Sequence, residues 1–529
     1  MSKEVKLKYR HFGSMRLKIP IDWKADPFES SNWVHNFLSL RWTNDLDRDL
    51  ARLVVVDFLN WLEGEEGNIE YISGRYRDHT TAIRVVVLDE FMRNESDSEL
   101  ARRIDREVER ELTELIFSAT YKFGHNHGLL IDQAVLEVLS HRPLTDAIRD
   151  LIGRVTGRVV KQLDMLYDKD GFSMEHSVSY QEYNLYTLHA LRNHIAPQAE
   201  WSPQAKSAIQ KMDRIHTASK RLLGAALRGD GSYIPFGDSF RLPNRLILRT
   251  VFGTSCEFQA LDKGQRDEFY FLAPVAGFGF MRKSIQDKYW HIGITSSNNL
   301  GSHKQWDELG IFVECDGKTI VDDAGYTDAL DKLKVWCKSR LAHSVPILIS
   351  SQSGVIERTY RRPNESWVGR YEQSGLEGFV AKALYENNCE LQRILLPGVF
   401  GGLLIIDWCT RVGGALMLGH RFLLGQDVLA TPSGGDVWLD SEGRLLLKSS
   451  LRDEVGVEKV DVAGRDKSKS EKRMVLNWIN DGEVGAFLIC KGEKVASELS
   501  CKIEASGVTV GLSSKRHASV FLPFGRSVY

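Results

Sequence analysis

Four stretches of the chain hold side chains able to move protons or grip charge. Asn126 and His127 adjoin each other at the start of an apolar helical run, FGHNHGLLIDQAVLEVL. An amide beside an imidazole offers hydrogen-bond donors, and an Asn just before a helix is also a common cap. In DGFSMEHSVSYQEYNLYTLHAL, Glu175, Ser177, Tyr180 and Tyr183 crowd the entry to another helix; a tyrosine there is as readily a core residue with a solvated hydroxyl. The third stretch, GSHKQWDELGIFVECDGKTIVDDAGYT, places His303 and Asp307 before an alternating strand, then Asp322 and Asp323 before Gly325 and Tyr326. Polar residues at strand ends commonly form turns. An imidazole, with a reference pKa of about 6.5, is suited to taking a proton near neutrality, whereas a phenol of about 10 is a poor base unless its surroundings favour phenolate. The fourth is FGDS, whose Asp238 can be read with Glu175 as the paired acids of a glycoside hydrolase, or as a turn residue.

The elements that must position these groups differ between the two halves. Leu100, Ile104, Val108, Leu112, Leu115, Ile116 and Ala119 recur at helical spacing behind the candidate caps Ser96, Asp97 and Ser98. Further helical runs cover 51–62, 144–166 and 205–227, and Tyr183, Tyr186 and Leu191 mark one more. Successive helices with short connections imply stacked helical hairpins, as a solenoid or a closed toroid. From about Phe269 onward short alternating strands take over, among them GFGFMRK, YWHIGITSS, GGLLIIDW and GAFLICKGEK, with Asp316-Gly317 and Lys491-Gly492 as hairpin turns. Strands without intervening helices imply an antiparallel sandwich. The charged segment from Lys459 to Arg473 reads as a mobile loop.

At 529 residues the chain is long enough for two or more domains, and 69 basic against 71 acidic residues give a net charge of −2. No global basic field points to nucleic acid or an anionic membrane. The N-terminus lacks an apolar stretch of signal-peptide length, so a soluble, cytoplasmic protein is expected, or a periplasmic or secreted one if a leader has been removed. The seven cysteines form no CxxC pair and read as reduced thiols.

Taken together, Asn126-His127, Glu175-His176-Ser177 through Tyr180, His303 through Asp307, and Asp323 through Tyr326 resemble, in order, the motifs of the heparinase II/III-like polysaccharide lyases. IDWKADPFESSNW, FGDS, GFGFMRK, AHSV at 342–345 and GHRFLL extend the resemblance over nearly the whole chain. It implies an α+β multidomain protein: an N-terminal (α/α) toroid, expected over residues 1–265, and a C-terminal antiparallel β-sandwich over 266–529, with a cleft between them. It implies β-elimination on a uronic-acid-containing acidic polysaccharide, of glycosaminoglycan or alginate type. Asn126 and His127 would neutralise the uronate carboxylate, and Tyr180 and His303 would serve as acid and base.

Glu175, Trp306, Tyr326 and Arg241 are expected to contact substrate. Trp306 reads equally as core, and Arg241, Arg282 and the arginines of YRRPNESWVGR equally as surface charges. The family often carries a structural zinc near the third motif. Asp323 and His343 are the candidate ligands here, but Gln305 stands where the second His of His-x-His is usual, and an amide is a weak zinc ligand. No cofactor is expected for the chemistry itself. Two other readings remain open: a noncatalytic polysaccharide-binding protein of a capsule or exopolysaccharide system, and a hydrolase using a carboxylate pair.

Overall fold

The computed structural model describes residues 4–523 except 10–12, 65–67, 70, 72–77, 118–120, 253–266, 299–302, 329, 357–365, 386–388, 411–415, 434–435, 440–444, 452–454, 467–468, 481, 492–497, 505–506 and 514–517. Cys256, Gly492 and the Arg361-Arg362 pair of YRRPNESWVGR therefore lie outside the described residues. Helices fill the first half: α1 (Ser31–Leu38), α2 (Arg48–Gly64), α3 (His79–Arg93), α4 (Ser98–Ile116), α5 (Asn126–Ser140), α6 (Asp146–Leu166), α7 (Val178–Ile195), α8 (Pro203–Ala226) and α9 (Arg245–Phe252). They follow the apolar periodicity. α4 buries Leu100, Ile104, Val108, Leu112 and Leu115, and among its three candidate caps Asp97 is the one used, accepting from Glu99 N at 3.0 Å and Leu100 N at 3.2 Å. No helix among the described residues is long and apolar enough to cross a membrane.

The chain forms two compact units, Met1–Tyr167 with Asn184–Ile215, and Asp168–Tyr183 with His216–Tyr529. The first turns of α7, with Tyr180 and Tyr183, thus belong to the second unit. In the first unit the helices share one core that includes Trp23, Trp33, Phe37 and Phe58. A buried ion pair crosses it: Arg84 Nε and Nη2 reach the same oxygen of Glu111, Oε1, at 2.6 and 2.5 Å, and Glu111 Oε2 is buried without a partner.

Besides a smaller three-stranded sheet, Glu498–Glu504, Gly507–Ser513 and Ala518–Pro523, the second unit holds two large antiparallel sheets. One runs in the order Gly456–Ala463, Ser470–Asn480, Leu416–Leu424, Lys318–Asp322, Gly310–Cys315, Lys288–Thr295, Phe278–Ile285, Phe269–Ala273, with Pro346–Ser350 and Gly354–Val355 attached beside Leu416–Leu424. The other runs Ser366–Gln373, Leu376–Tyr385, Cys389–Pro397, Leu403–Cys409, Val484–Lys491, Leu445–Ser449, Asp436–Trp438, Thr431–Ser433. Ile292, Ile294, Ile311 and Phe422 of the first share a core with Phe379, Leu391, Leu403 and Phe487 of the second, the layered packing expected of a sandwich. Asp316 and Gly317, at φ +49° and +78°, make the two-residue hairpin turn read from the sequence. Inside the sandwich Asp407 receives Arg393 Nε at 2.5 Å, Arg393 Nη2 at 2.7 Å and His420 Nδ1 at 2.9 Å, so both of its oxygens are paired.

The segment from Lys459 to Arg473 is not a loop. Most of it lies in the paired strands Gly456–Ala463 and Ser470–Asn480. Its charges face one another, with Lys472 Nζ 2.7 Å from Asp461, while Val462 and Ala463 are buried. Alternation was present but masked by the density of charge. Six of the seven cysteines lie among the described residues, none of them in a disulfide, with Cys389 Sγ 3.0 Å from Cys409 Sγ.

Candidate active site

In the second unit Ser177 starts α7: its hydroxyl accepts from Tyr180 N at 3.3 Å and its carbonyl from Gln181 N at 3.0 Å. The same hydroxyl lies 3.0 Å from Asp238 O and 3.0 Å from Ser239 Oγ, which fastens the Glu-x-Ser-x-x-Tyr stretch to FGDS. Gly237 sits where they touch. Its φ is +66°, and a Cβ there would run into the carbonyl of His176, so only glycine fits.

Asp238 then organises the polar groups. Its backbone N donates to His303 O at 2.9 Å, Oδ2 faces His303 Nδ1 at 3.3 Å and Lys338 Nζ at 2.8 Å, and Oδ1 accepts from Gln305 Nε2 at 3.0 Å. Tyr180 and His303 stack, with ring centroids 3.3 Å apart and planes 14° from parallel. Glu175 is buried, with Oε1 3.8 Å from His303 Nε2. Lys338, in the last turn of α10 (Asp331–Lys338), lies 5.4 Å over the Tyr326 ring with its side chain one-third exposed. Tyr183, 43% exposed, sits 5.8 Å from Tyr180. Burial, and then the charges that Tyr326, Asp238, Tyr183 and Glu175 carry when ionised, push the Tyr180 phenol well above its ordinary value. Tyr180 therefore holds its proton through the neutral range, as a donor must. The sequence alone offers Asp238 as one of a pair of acids or as a turn residue, and it does not single out Lys338.

The first unit holds a separate cluster. Asn126 is not the cap of α5 but its first residue: the cap is His125, at φ −137° and ψ 140°, whose Nδ1 accepts from His127 N at 3.1 Å. Gln162 braces the approach, accepting from Gly124 N at 2.9 Å and donating to His125 O. His127 Nδ1 lies 3.2 Å from Asp78 Oδ2, while the other oxygen of Asp78 caps α3 by accepting from His79 N at 2.6 Å. His79 and His125 lie 4.9 and 4.4 Å from the His127 ring, and His35 is 4.5 Å from His79. Burial, and then His35 and His127, lower His79 to about 3; burial, and then His127, lower His35 to about 4. The hydrogen bond from His127 is the main cause holding the Asp78 carboxyl well below the usual range.

The other expected contacts divide. Tyr326 and Glu175 stand in the second-unit cluster, and Trp306 is half-buried, its backbone N donating to Lys338 O at 3.1 Å. Arg241 is buried, with Nη1 2.9 Å from Asp322 Oδ2, Nη2 2.6 Å from Asp323 O and Nε 3.1 Å from Ala463 O, a placement that fastens the strand end at Asp322-Asp323. Arg282 is likewise buried and donates to Leu227 O. Asp323 and His343 do meet, Oδ2 to Nδ1 at 2.8 Å, with Asp323 Oδ1 accepting from Gly325 N at 3.0 Å. The residues present do not fit a zinc ion, which takes four ligands. Among the described residues no group of three or more His, Cys, Asp or Glu side chains is placed to hold a metal.

No protein-family model and no curated protein sequence matches the chain. Solved structures do. A crystal structure of heparinase III superposes with a TM-score of 0.71 at 12% identity, over 95% of this chain and 85% of that one. Heparan sulfate lyase HepC from Pedobacter heparinus superposes with a TM-score of 0.63 at 17% identity, over 98% and 87%. A mutant of that lyase gives 0.66 at 16%, with the same coverage. The order of helices and antiparallel sheets, together with these superpositions, gives the chain a heparinase-like polysaccharide lyase fold, helical toroid followed by β-sandwich.

Proposed function

We propose that the protein is a polysaccharide lyase that cleaves a uronate-containing chain by β-elimination. The observation that carries this reading is the stacked Tyr180–His303 pair, its imidazole facing Asp238 and its phenol pushed toward the protonated form. A binding protein has no use for a proton donor against a proton acceptor. Elimination needs both. His303 takes the proton from C5, the electrons form the C4–C5 double bond, the C4–O4 bond breaks, and O4 takes the proton of Tyr180. The raised phenol favours this division of labour over one in which Tyr180 does both jobs.

The C5 proton is barely acidic while the neighbouring carboxylate carries full charge, so donors must gain strength as the dianion develops. Asn126 and His127 supply an amide N–H and an imidazole N–H at the start of a helix, whose N-terminal dipole also favours an anion. Glycosaminoglycans of the kind named for the heparan sulfate lyase are the first substrates to try, with alginate-type chains after them. The test is incubation with a panel of uronate polymers. Ultraviolet absorbance of the unsaturated product is expected; new reducing ends without absorbance would mean hydrolysis by a carboxylate pair, and retention on the polymer without cleavage would mean binding alone.

A further inference from the structure

We infer that Lys304 supplies, from within the chain, the fixed positive charge that a structural metal ion would otherwise bring to the third motif, so that this cluster takes up no divalent ion. The side chain of Lys304 is 1% exposed. Its ammonium donates to Gln305 O at 2.9 Å and Asp307 Oδ1 at 2.9 Å, and pairs with Glu308 Oε1 at 3.2 Å. The partner oxygens are also committed. Asp307 Oδ2 accepts from Gly237 N at 3.1 Å, and Glu308 Oε2 faces Arg340 Nη1 at 3.4 Å. Both oxygens of Asp323 are taken by His343 and Gly325.

What remains for an ion is His343 Nε2 and Gln305 Oε1, each buried and without a partner. Two such atoms are too few for zinc, which takes four ligands, or calcium, which takes six to eight oxygens. An ion placed among these carboxylates would also face the Lys304 ammonium in a site without screening solvent. Adjacent positions thus fit one another: a cation at 304 and an amide, not an imidazole, at 305.

The test uses the full-length protein, dialysed once against zinc or calcium and once against a chelator, with metal-to-protein ratio and melting temperature as readouts. No stoichiometric ion and an unchanged melting temperature are expected; one tightly held ion per chain, or a melting temperature that falls on chelation, overturns the inference. In the converse experiment Lys304→Gly with Gln305→His removes the ammonium and restores an imidazole beside His343 and Asp323. That variant is expected to bind one zinc ion and to show the visible absorption of tetrahedral cobalt when cobalt replaces it. A folded variant, by circular dichroism, that binds neither metal also overturns the inference. If the variant does not fold, the wild-type measurements decide alone. Neither readout uses catalysis, so the result is independent of the lyase reading.

Discussion

The two polar clusters differ in composition, carboxylates around one and imidazoles around the other, and the difference tracks what each is proposed to do. Around Tyr180 in the second unit the neighbours are acidic: Glu175 and Asp238 are buried beside His303, and with burial they raise the phenol. Around His127 in the first unit one carboxylate, Asp78, stands among four imidazoles, and it is the acid that is stabilised as an anion. The first environment keeps a proton on an acid. The second offers donors to an incoming anion. Each cluster therefore fails in its own way when a single group is changed.

The largest effect is expected at Tyr180. Tyr180→Phe keeps the ring that stacks on His303 but removes the proton for O4, and turnover should fall by at least roughly a hundredfold, with polymer binding retained. Steady-state kinetics beside a binding isotherm checks this; near-normal turnover would take Tyr180 out of the mechanism. Asn126→Ala comes next. His125 is the cap, so the stability loss should stay below about 1 kcal/mol, while the barrier rises by on the order of 3 kcal/mol if the amide stabilises the dianion. Esterifying the uronate should shrink that kinetic penalty, because the charge Asn126 offsets is gone. An early-melting variant that turns over normally would leave Asn126 a structural role only.

Asp78→Asn is expected to be milder. Asn caps a helix about as well as Asp, so α3 should keep its stability, but the charge facing His127 is lost. A weakening of substrate binding by about tenfold, the scale of one charge-assisted hydrogen bond, should show in KM more than in kcat. An equal fall in kcat would move Asp78 into the chemistry.

The smallest effects lie in two of the buried ion pairs, Arg84–Glu111 and Arg393–Asp407, which repeat the contrast away from the polar clusters. Burial opposes the charge on both acids, but Asp407, with Arg393 on both oxygens and His420 besides, is lowered to about 2. Glu111, with one oxygen unpaired and Glu107 nearby, is raised to about 7 by burial that outweighs Arg84. The balance of burial against the arginine charge, aided at Asp407 by hydrogen bonds to both oxygens and opposed at Glu111 by Glu107, decides the direction. A lowered acid stabilises the fold above its unfolded pKa of about 3.9, and that stability is lost as pH falls toward about 2. A raised acid stabilises below its unfolded pKa of about 4.3, and that contribution is lost as pH rises through about 7. Hydrogen exchange should therefore quicken around Asp407 on acidification and around Glu111 between mildly acid and neutral pH, with Glu111→Gln abolishing the second change. Identical pH profiles at the two places would contradict the contrast.

Much of this was legible in the sequence because helical and alternating periods are local. The candidate caps of α4, the Asp316-Gly317 turn and the change from helices to strands needed only neighbouring residues. Tyr180 and His303 were found through motif order, although 123 positions separate them. Asp78 and Lys338 were not, for a physical reason: each acts through a partner brought close by tertiary structure. Lys304 meets partners within four positions of itself, and a lone Lys among them leaves no periodic trace. Asp78 meets His127 across 49 positions, and Lys338 meets Asp238 across 100. Asn126 was misplaced by one residue because an imidazole, His125, caps α5 where an amide is the commoner choice.

The central claim is that cleavage begins with loss of the C5 proton to His303, and a uronate polymer labelled with deuterium or tritium at C5 tests it most directly. The account predicts that label leaves for water in step with chain cleavage, that deuterium slows the reaction, and that His303→Ala abolishes both label loss and cleavage. Chains that are cut while every C5 label stays in place would contradict it.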